Sequence, residues 1–345
     1  MEKRYGMRTA RIKDVAALAG VSVGSVSNVL NPHKRVTPDV EQRVLAAIKQ
    51  LGFVRNDAAR QLRAGRSRSI GIVVLDSGNP FFTELAHGVE DALERVSRTL
   101  LLGSSYGTVE RENRYLDQFD EQRIAGLLIT PAGPVGERLS LVAQRGCPIV
   151  LVDTPDAPPG FSSVSVNDYS GGHLAASHLL SQDRRKVMFV AGALDIAQVH
   201  RRYLGAQSAI AETSGASLDV VDFGAMTAEA GQAAAERILA MPESARPDAI
   251  FAANDLIALG VLQVFTRTGV RVPDDVALIG YDDIFFASTA AVPLSSIRQP
   301  AWEMGRTATE LLLEAIESPS IEARSVVFEP ELVVRQSTVS VHPAP

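Results

Sequence analysis

Short apolar runs in this sequence are repeatedly followed by side chains that can hold a polar ligand. Residues 70–75 lead into Asp76, Ser77, Gly78, Asn79 and Phe82, and residues 100–103 into Ser104 and Ser105. Asn167 with Asp168, Asn254 with Asp255, and Tyr281 with Asp282 and Asp283 stand in equivalent places. Carboxylates and amides match pairs of hydroxyls, and an aromatic face packs on the apolar side of a ring, so the set suits a sugar. The same residue types also cap helices, where Asp and Asn satisfy free N–H groups. For Asp255, ahead of an apolar helical pattern over 256–265, capping is as good a reading as ligand contact. A second group lies near the N-terminus: Ser22, Val23, Gly24, Ser25, Ser27 and Asn28 are small or short polar residues. Serine hydroxyls can donate to phosphates or base edges, and an asparagine amide has the paired donor and acceptor that match adenine.

The elements that must carry these residues follow from periodicity. Ile12, Val15, Ala16 and Ala19 recur at helical spacing, and Gly20 ends that helix. Ser22 caps a second helix running to about Leu30, with Val26, Val29 and Leu30 inward. Thr37, Pro38 and Asp39 open a third, with Val44, Leu45, Ile48 and Leu51 as its apolar face and Gly52 beyond. Two short helices joined by a glycine turn make a helix-turn-helix. In the second helix Gly24 costs about 0.5–1 kcal/mol relative to alanine, which suits a backbone lying close against another surface such as a DNA groove. The alternative is a plain solvent-facing helix. Residues 56–68 add a short stretch in which Asn56 can cap and alanines, Ala59 among them, favour helix. It is too short to hold that helix alone in water.

From residue 69 onward strands and helices alternate: strands near 70–75, 100–103, 126–130, 148–152, 186–190, 218–223, 249–253 and 276–281, with helical patterns over 81–96, 110–122 and 168–180. The fold class expected is therefore an all-α helix-turn-helix head plus an α/β core of parallel sheets covered by helices, too large for one sheet and so divided into two lobes. Ligands in such folds sit beyond the carboxyl ends of the strands, where the polar groups stand. The expected domains are a head over 1–55, a hinge over 56–68 and a core over 69–345. Its lobes comprise about 69–167 with 299–322, and about 168–298 with 323–345.

Charge separates head from core. The 345 residues carry a formal net charge of −6. Residues 1–68 hold 14 Lys and Arg against 5 acids, a balance of +9, leaving −15 on the remainder. A basic head fits a polyanion, because each phosphate neutralised releases counterions. No apolar stretch is long enough for a membrane helix and no hydrophobic signal segment follows Met1, so the expected compartment is the cytoplasm. The single cysteine, Cys147, excludes an internal disulfide and reads as a small hydrophobe. No GxGxxG or Walker pattern follows a strand, which argues against a dinucleotide or nucleoside triphosphate. The six histidines lack ligand spacing; His173 and His178, five apart, read as surface residues. The expectation is a non-enzyme with no cofactor and no metal.

The run Ile12-Lys13-Asp14-Val15-Ala16, followed by Ala19-Gly20-Val21-Ser22 and Val26-Ser27-Asn28-Val29-Leu30-Asn31, resembles the DNA-binding head of the lactose-repressor (LacI/GalR) family of bacterial regulators. The resemblance implies that the helix from Ser22 enters the major groove, with Val23, Gly24 and Asn28 reading bases. It also implies that residues 56–68 form the family's hinge, with Leu62 pushed into the minor groove. In the core, Asn79-Pro80-Phe81-Phe82, Asn254-Asp255, Ile279-Gly280-Tyr281-Asp282-Asp283 and Arg298-Gln299-Pro300 look like the family's sugar-binding landmarks. Carried over, Arg202 is the effector-binding arginine, and Asp282 and Asn254 bind hydroxyls. Asp76, Asn79, Asn167 and Gln299 join them, and Phe82 with either Phe223 or Met226 supplies apolar contact.

The function expected is a sequence-specific, DNA-binding transcriptional repressor, acting as a homodimer on a near-palindromic double-stranded operator. Its affinity would be set by a small polar effector, a sugar. A nucleobase or a protein partner is the alternative signal, and a free solute-binding protein the alternative class. The absence of a leucine heptad tail favours a dimer over a tetramer.

Overall fold

In the computed structural model the chain is described over residues 10–30, 36–53 and 67–339. Two compact units separate at Arg66 and Ser67. In the first, α1 (Ile12–Ala19), α2 (Val23–Val29) and α3 (Pro38–Leu51) close around Val15, Ala16, Ala19, Val26, Val44 and Ala47. Gly20 and Gly52 end α1 and α3 in the left-handed conformation, at φ 64° and 57°, which glycine adopts without a Cβ clash. Leu45 departs from the expected face: it is exposed and Ala47 is buried instead. At 3.6 residues per turn, positions 44, 47 and 48 share a stripe, while position 45 lies about 100° away from Val44.

The second unit holds two six-stranded sheets. The first has the order β11-β5-β4-β3-β1-β2, built from β1 (Ser69–Val74), β2 (Thr99–Ser104), β3 (Gly126–Ile129), β4 (Ile149–Val152), β5 (Ser162–Val166) and β11 (Ser325–Phe328). The second has the order β12-β10-β9-β8-β6-β7, from β6 (Lys186–Val190), β7 (Ser217–Val221), β8 (Ala249–Ala252), β9 (Ala277–Asp282), β10 (Ser295–Arg298) and β12 (Glu331–Val333). All pairings among the described strands are parallel except that of β10 with β12. Central strands such as β3, β4 and β8 are buried throughout, as parallel strands covered on both faces must be.

The chain crosses between the sheets after β5, after β10 and after β11. The third crossing moves a boundary: Ser325–Phe328 pairs with β5 in the first sheet, so the first lobe runs past 322 and takes a strand that the sequence reading placed in the second. Exposed residues alternate with half-buried ones along β11, so its apolar content gave no sign of which sheet it would join.

Helices cover the sheets in close pairs. α4 (Pro80–Glu94) packs on α12 (Ala301–Glu317), α7 (Asp168–Ser181) on α8 (Ala197–Ala211), and α9 (Ala228–Ala240) on α10 (Asp255–Thr268). Glycines sit at these contacts. A Cβ on Gly172 would lie 1.9 Å from the Arg202 carbonyl oxygen, and one on Gly205 2.0 Å from that of Tyr169. Only hydrogen at these positions allows the backbones so near, and the α7–α8 approach sets Arg202 beside Asp168.

Candidate functional sites: an interlobe cleft and an exposed helix

Between the two sheets lies a cleft of about 700 Å³. Its wall is assembled from residues just past strand ends: Asp76 and Asn79 after β1, Asp153 after β4, Met226 after β7, Asn254 after β8 and Gln299 after β10. In each sheet the first strand, β1 or β6, has the next two strands in sequence on opposite sides of it, which opens a crevice there. The two crevices share this cleft.

Arg202 stands at its centre and is buried. Its Nε donates to Asp168 Oδ1 at 2.8 Å and its Nη1 to the Ala253 carbonyl at 2.8 Å. Nη1 also lies 3.9 Å from Asp282 Oδ1, and the guanidinium stacks 3.7 Å from the centre of the Tyr281 ring. Gly171 makes room for that ring, since a Cβ there would meet the Tyr281 hydroxyl at 2.2 Å. Burial alone would lower the arginine's pKa; Asp168, Tyr281 and Asp282 more than offset it and keep the group protonated.

Asp282 receives Asn79 Nδ2 at 3.2 Å on one oxygen and Gln299 Nε2 at 2.8 Å on the other. Burial pushes its carboxyl up to about 6, against the opposing pull of Arg202 and of those two amides. Asp153 is raised well above the usual range by burial and by the charge of Asp168. Gln198 Nε2 donates to Asp153 Oδ2 at 3.1 Å and also to its backbone carbonyl. Both aspartates have positive φ, 102° for Asp282 and 52° for Asp153, backbone states that non-glycine residues hold only when the surroundings enforce them. Asn79 and Asp153 belong to the first lobe, Asp282 and Gln198 to the second, so these bonds tie the lobes across the cleft.

Of the effector residues expected from sequence, Asp76, Asn79, Phe82, Arg202, Asn254, Asp282 and Gln299 line the cleft. Asn79 and Asn254 also cap: their side chains accept from Phe81 N–H and Ile257 N–H, and Asn254 Nδ2 donates to the Met226 carbonyl. Asn167 is not in the wall. It caps α7 through Ser170 N–H, and its amide donates to Glu329 at 3.1 Å. Phe223 is not in the wall either; it packs against the core of the second sheet, and Met226 lines the cleft in its place. Asp255 binds neither as a cap nor in the wall: its oxygens accept from Ser296 Oγ at 2.7 Å and Ile284 N–H at 2.8 Å, joining the segments after β8 and β9 to strand β10. Asp153 and Gln198 also line the cleft and are not among the effector residues expected from sequence. Asp153 immediately follows a strand and Gln198 precedes Arg202 by one helical turn, and both spacings are visible in the sequence. His178, read as a surface residue, is buried and bonded to Thr338 Oγ1 at 2.7 Å, because the chain's last described turn covers that face of α7.

In the first unit Val23, Gly24 and Ser27 are exposed on α2, and Ser25 and Asn28 are half-buried. Ser22 caps the helix by accepting from Ser25 N–H at 3.0 Å, with the two hydroxyls 2.9 Å apart. The face is short, small and free of acids, which lets a backbone approach a phosphate-lined groove. Asn56, Ala59 and Leu62 lie outside the described residues.

Residues 11–56 match the family model of bacterial regulatory proteins, lacI family, and residues 176–338 match a periplasmic binding protein-like domain. The chain is 35% identical over 332 residues to the HTH-type transcriptional repressor PurR of Photobacterium profundum, covering 95% of this chain and 98% of that one. Among solved structures it resembles the transcriptional regulator CelR in complex with cellobiose, at a TM-score of 0.69 and 30% identity over 95% of this chain and 99% of that one. It shares the fold of the lac repressor dimer bound to operator and the anti-inducer ONPF, at a TM-score of 0.82 and 24% identity over 96% and 100%. No helix among the described residues is long and apolar enough to cross a membrane. With an N-terminal helix-turn-helix unit and a two-lobed core in the rest of its sequence, the chain belongs to the lacI family of bacterial regulatory proteins and is a DNA-binding transcriptional repressor.

Proposed function

We propose that this repressor is gated by a small, polar, polyhydroxylated effector, a sugar, held between the lobes. One observation carries the reading: the polar groups that would touch the ligand are the ones that bridge the lobes, Asn79 to Asp282 and Gln198 to Asp153. A ligand inserted among them changes the lobe–lobe contacts directly, and so has the differential affinity for two lobe arrangements that any gating requires. Phe82 and Met226 in the wall offer apolar contact to a ring face while the amides and carboxylates take hydroxyls. The repressor acts in the cytoplasm as a homodimer on a near-palindromic operator, read by Ser22, Val23, Gly24, Ser25, Ser27 and Asn28 with Asn56, Ala59 and Leu62 at the centre.

The test is fluorescence anisotropy of labelled promoter DNA against purified protein, with and without a panel of mono- and disaccharides and nucleobases. A saccharide that shifts operator affinity at least tenfold, and loses that effect in Arg202→Gln, supports the proposal. A shift produced by a nucleobase and by no saccharide refutes the sugar assignment.

A further inference from the structure

The charge of the cleft is one-sided. Among the described residues its wall carries the carboxyl groups of Asp76, Asp153, Asp156, Asp195 and Asp282, burial favouring the neutral form of Asp153, against a single guanidinium, that of Arg202. Asp156 is offset by Arg201, but Arg202 has no charge to spare. It is already spent on Asp168 and Asp282 and stacked on Tyr281. An incoming anion would therefore meet buried negative charge with no free cation among the described residues to receive it, in surroundings where Coulomb interactions are screened far less than in water.

Two atoms add a second, independent indication. Asp153 and Gln299 are each 4% exposed and both line the cleft. Asp153 Oδ1 and Gln299 Oε1 have no hydrogen-bond partner among the described residues. Each side chain is held by its other end: Gln198 donates to Asp153 Oδ2, and Gln299 Nε2 donates to Asp282. A buried polar atom left without a partner is costly, and Gln299 Oε1, an amide oxygen, can only accept. The group that satisfies it must be a donor, which a hydroxyl or amine is and a phosphate or carboxylate oxygen is not.

We infer that the cleft selects against anions: its effector carries no phosphate or carboxylate, and presents a hydroxyl or amine donor to Gln299. Gln198 is then a positioning residue, since its amide turns the Asp153 carboxyl group so that Oδ2 is occupied and Oδ1 is left for the ligand. The inference rests on the cleft being the effector site but not on the ligand being a sugar. It holds equally for a neutral base against its nucleotide, or a hexose against its 6-phosphate or uronic acid.

Isothermal titration calorimetry of the full chain at pH 7.5 tests it, using matched sets: hexoses and disaccharides, their 6-phosphates, the corresponding uronic acids, nucleobases and nucleoside monophosphates. The expected result is a neutral member binding at least 100-fold more tightly than its anionic counterpart, with Asp282→Asn, which removes buried charge beside Arg202, reducing that ratio at least tenfold. Gln198→Leu weakens the neutral ligand while urea stability stays close to that of the parent protein. An anionic member binding as tightly as its neutral partner, or a ratio unchanged in Asp282→Asn, overturns the inference and leaves the cleft reading intact. If no compound binds, the cleft reading falls and the inference with it.

Discussion

Replacing Gly172 with alanine reverses the effect that helix propensity alone predicts. Alanine in a helix interior is favoured over glycine by ~1 kcal/mol, and Gly172 lies inside α7. Its new Cβ would stand 1.9 Å from the Arg202 carbonyl oxygen. That oxygen is backbone and cannot rotate away, so α7 and α8 must separate by about 1 Å or more to reach van der Waals contact. Overpacking of this kind costs up to ~3 kcal/mol, so subtracting the propensity gain leaves a net loss of about 2 kcal/mol. The separation also pulls Arg202 from Asp168, whose contact is 2.8 Å, so effector affinity falls together with stability. Urea unfolding followed by circular dichroism reads the first effect and calorimetry the second. Gly24→Ala is the internal comparison: there a Cβ meets only Ser22 Oγ, at 3.5 Å, and propensity should win with a gain of up to ~1 kcal/mol in the head. A Gly172→Ala protein as stable as its parent and binding ligand equally well would refute close helix approach as the reason for this glycine.

Three further outcomes are expected. Asp282 has a folded pKa of about 6, above the ordinary carboxyl value, so its contribution to stability is complete below about pH 4 and is lost as pH rises through about 6. The shift of about 2 units corresponds to roughly 3 kcal/mol. Urea unfolding of parent and Asp282→Asn across pH 4 to 7 should show the difference changing in that direction, and a pH-independent difference would contradict it. Arg202→Leu leaves Asp168 buried without its cation and should lose about 3–5 kcal/mol, much of it recovered in the Arg202→Leu, Asp168→Leu double variant; equal loss in single and double would show that the pair does not act as one. Asn28→Ala and Leu62→Ala should each weaken binding to the cognate operator far more than to random duplex in anisotropy titrations, since base and wedge contacts act on specific complexes.

Much of the fold was legible because its signals are local. Gly20 and Gly52 end helices where the apolar periodicity stops, Ser22 caps α2 as its side chain predicts, and buried parallel strands announce themselves as unbroken apolar runs. Strand-end positions of the cleft residues were legible for the same reason. Errors arose where a residue type serves two purposes. Asn167 has the chemistry of a ligand contact but caps a helix and bonds Glu329; Asp255, for which capping and ligand contact were both open, instead binds Ser296 and Ile284. Asparagine and aspartate look the same in sequence whether they face a cleft or a backbone N–H.

The sequence by itself determined the class of protein: a basic helix-turn-helix head with an unmistakable residue run, an acidic α/β core, and polar groups at the strand ends. It did so because period, capping chemistry and charge act over a few residues. Only the tertiary structure decided which of those polar groups meet. Asp153 and Gln198 are 45 positions apart, Asn79 and Asp282 are 203 apart, and β11 joins the first sheet after the chain has left it. Such pairings depend on which strands are neighbours and how closely glycine lets the helices approach, and no window of sequence contains that information.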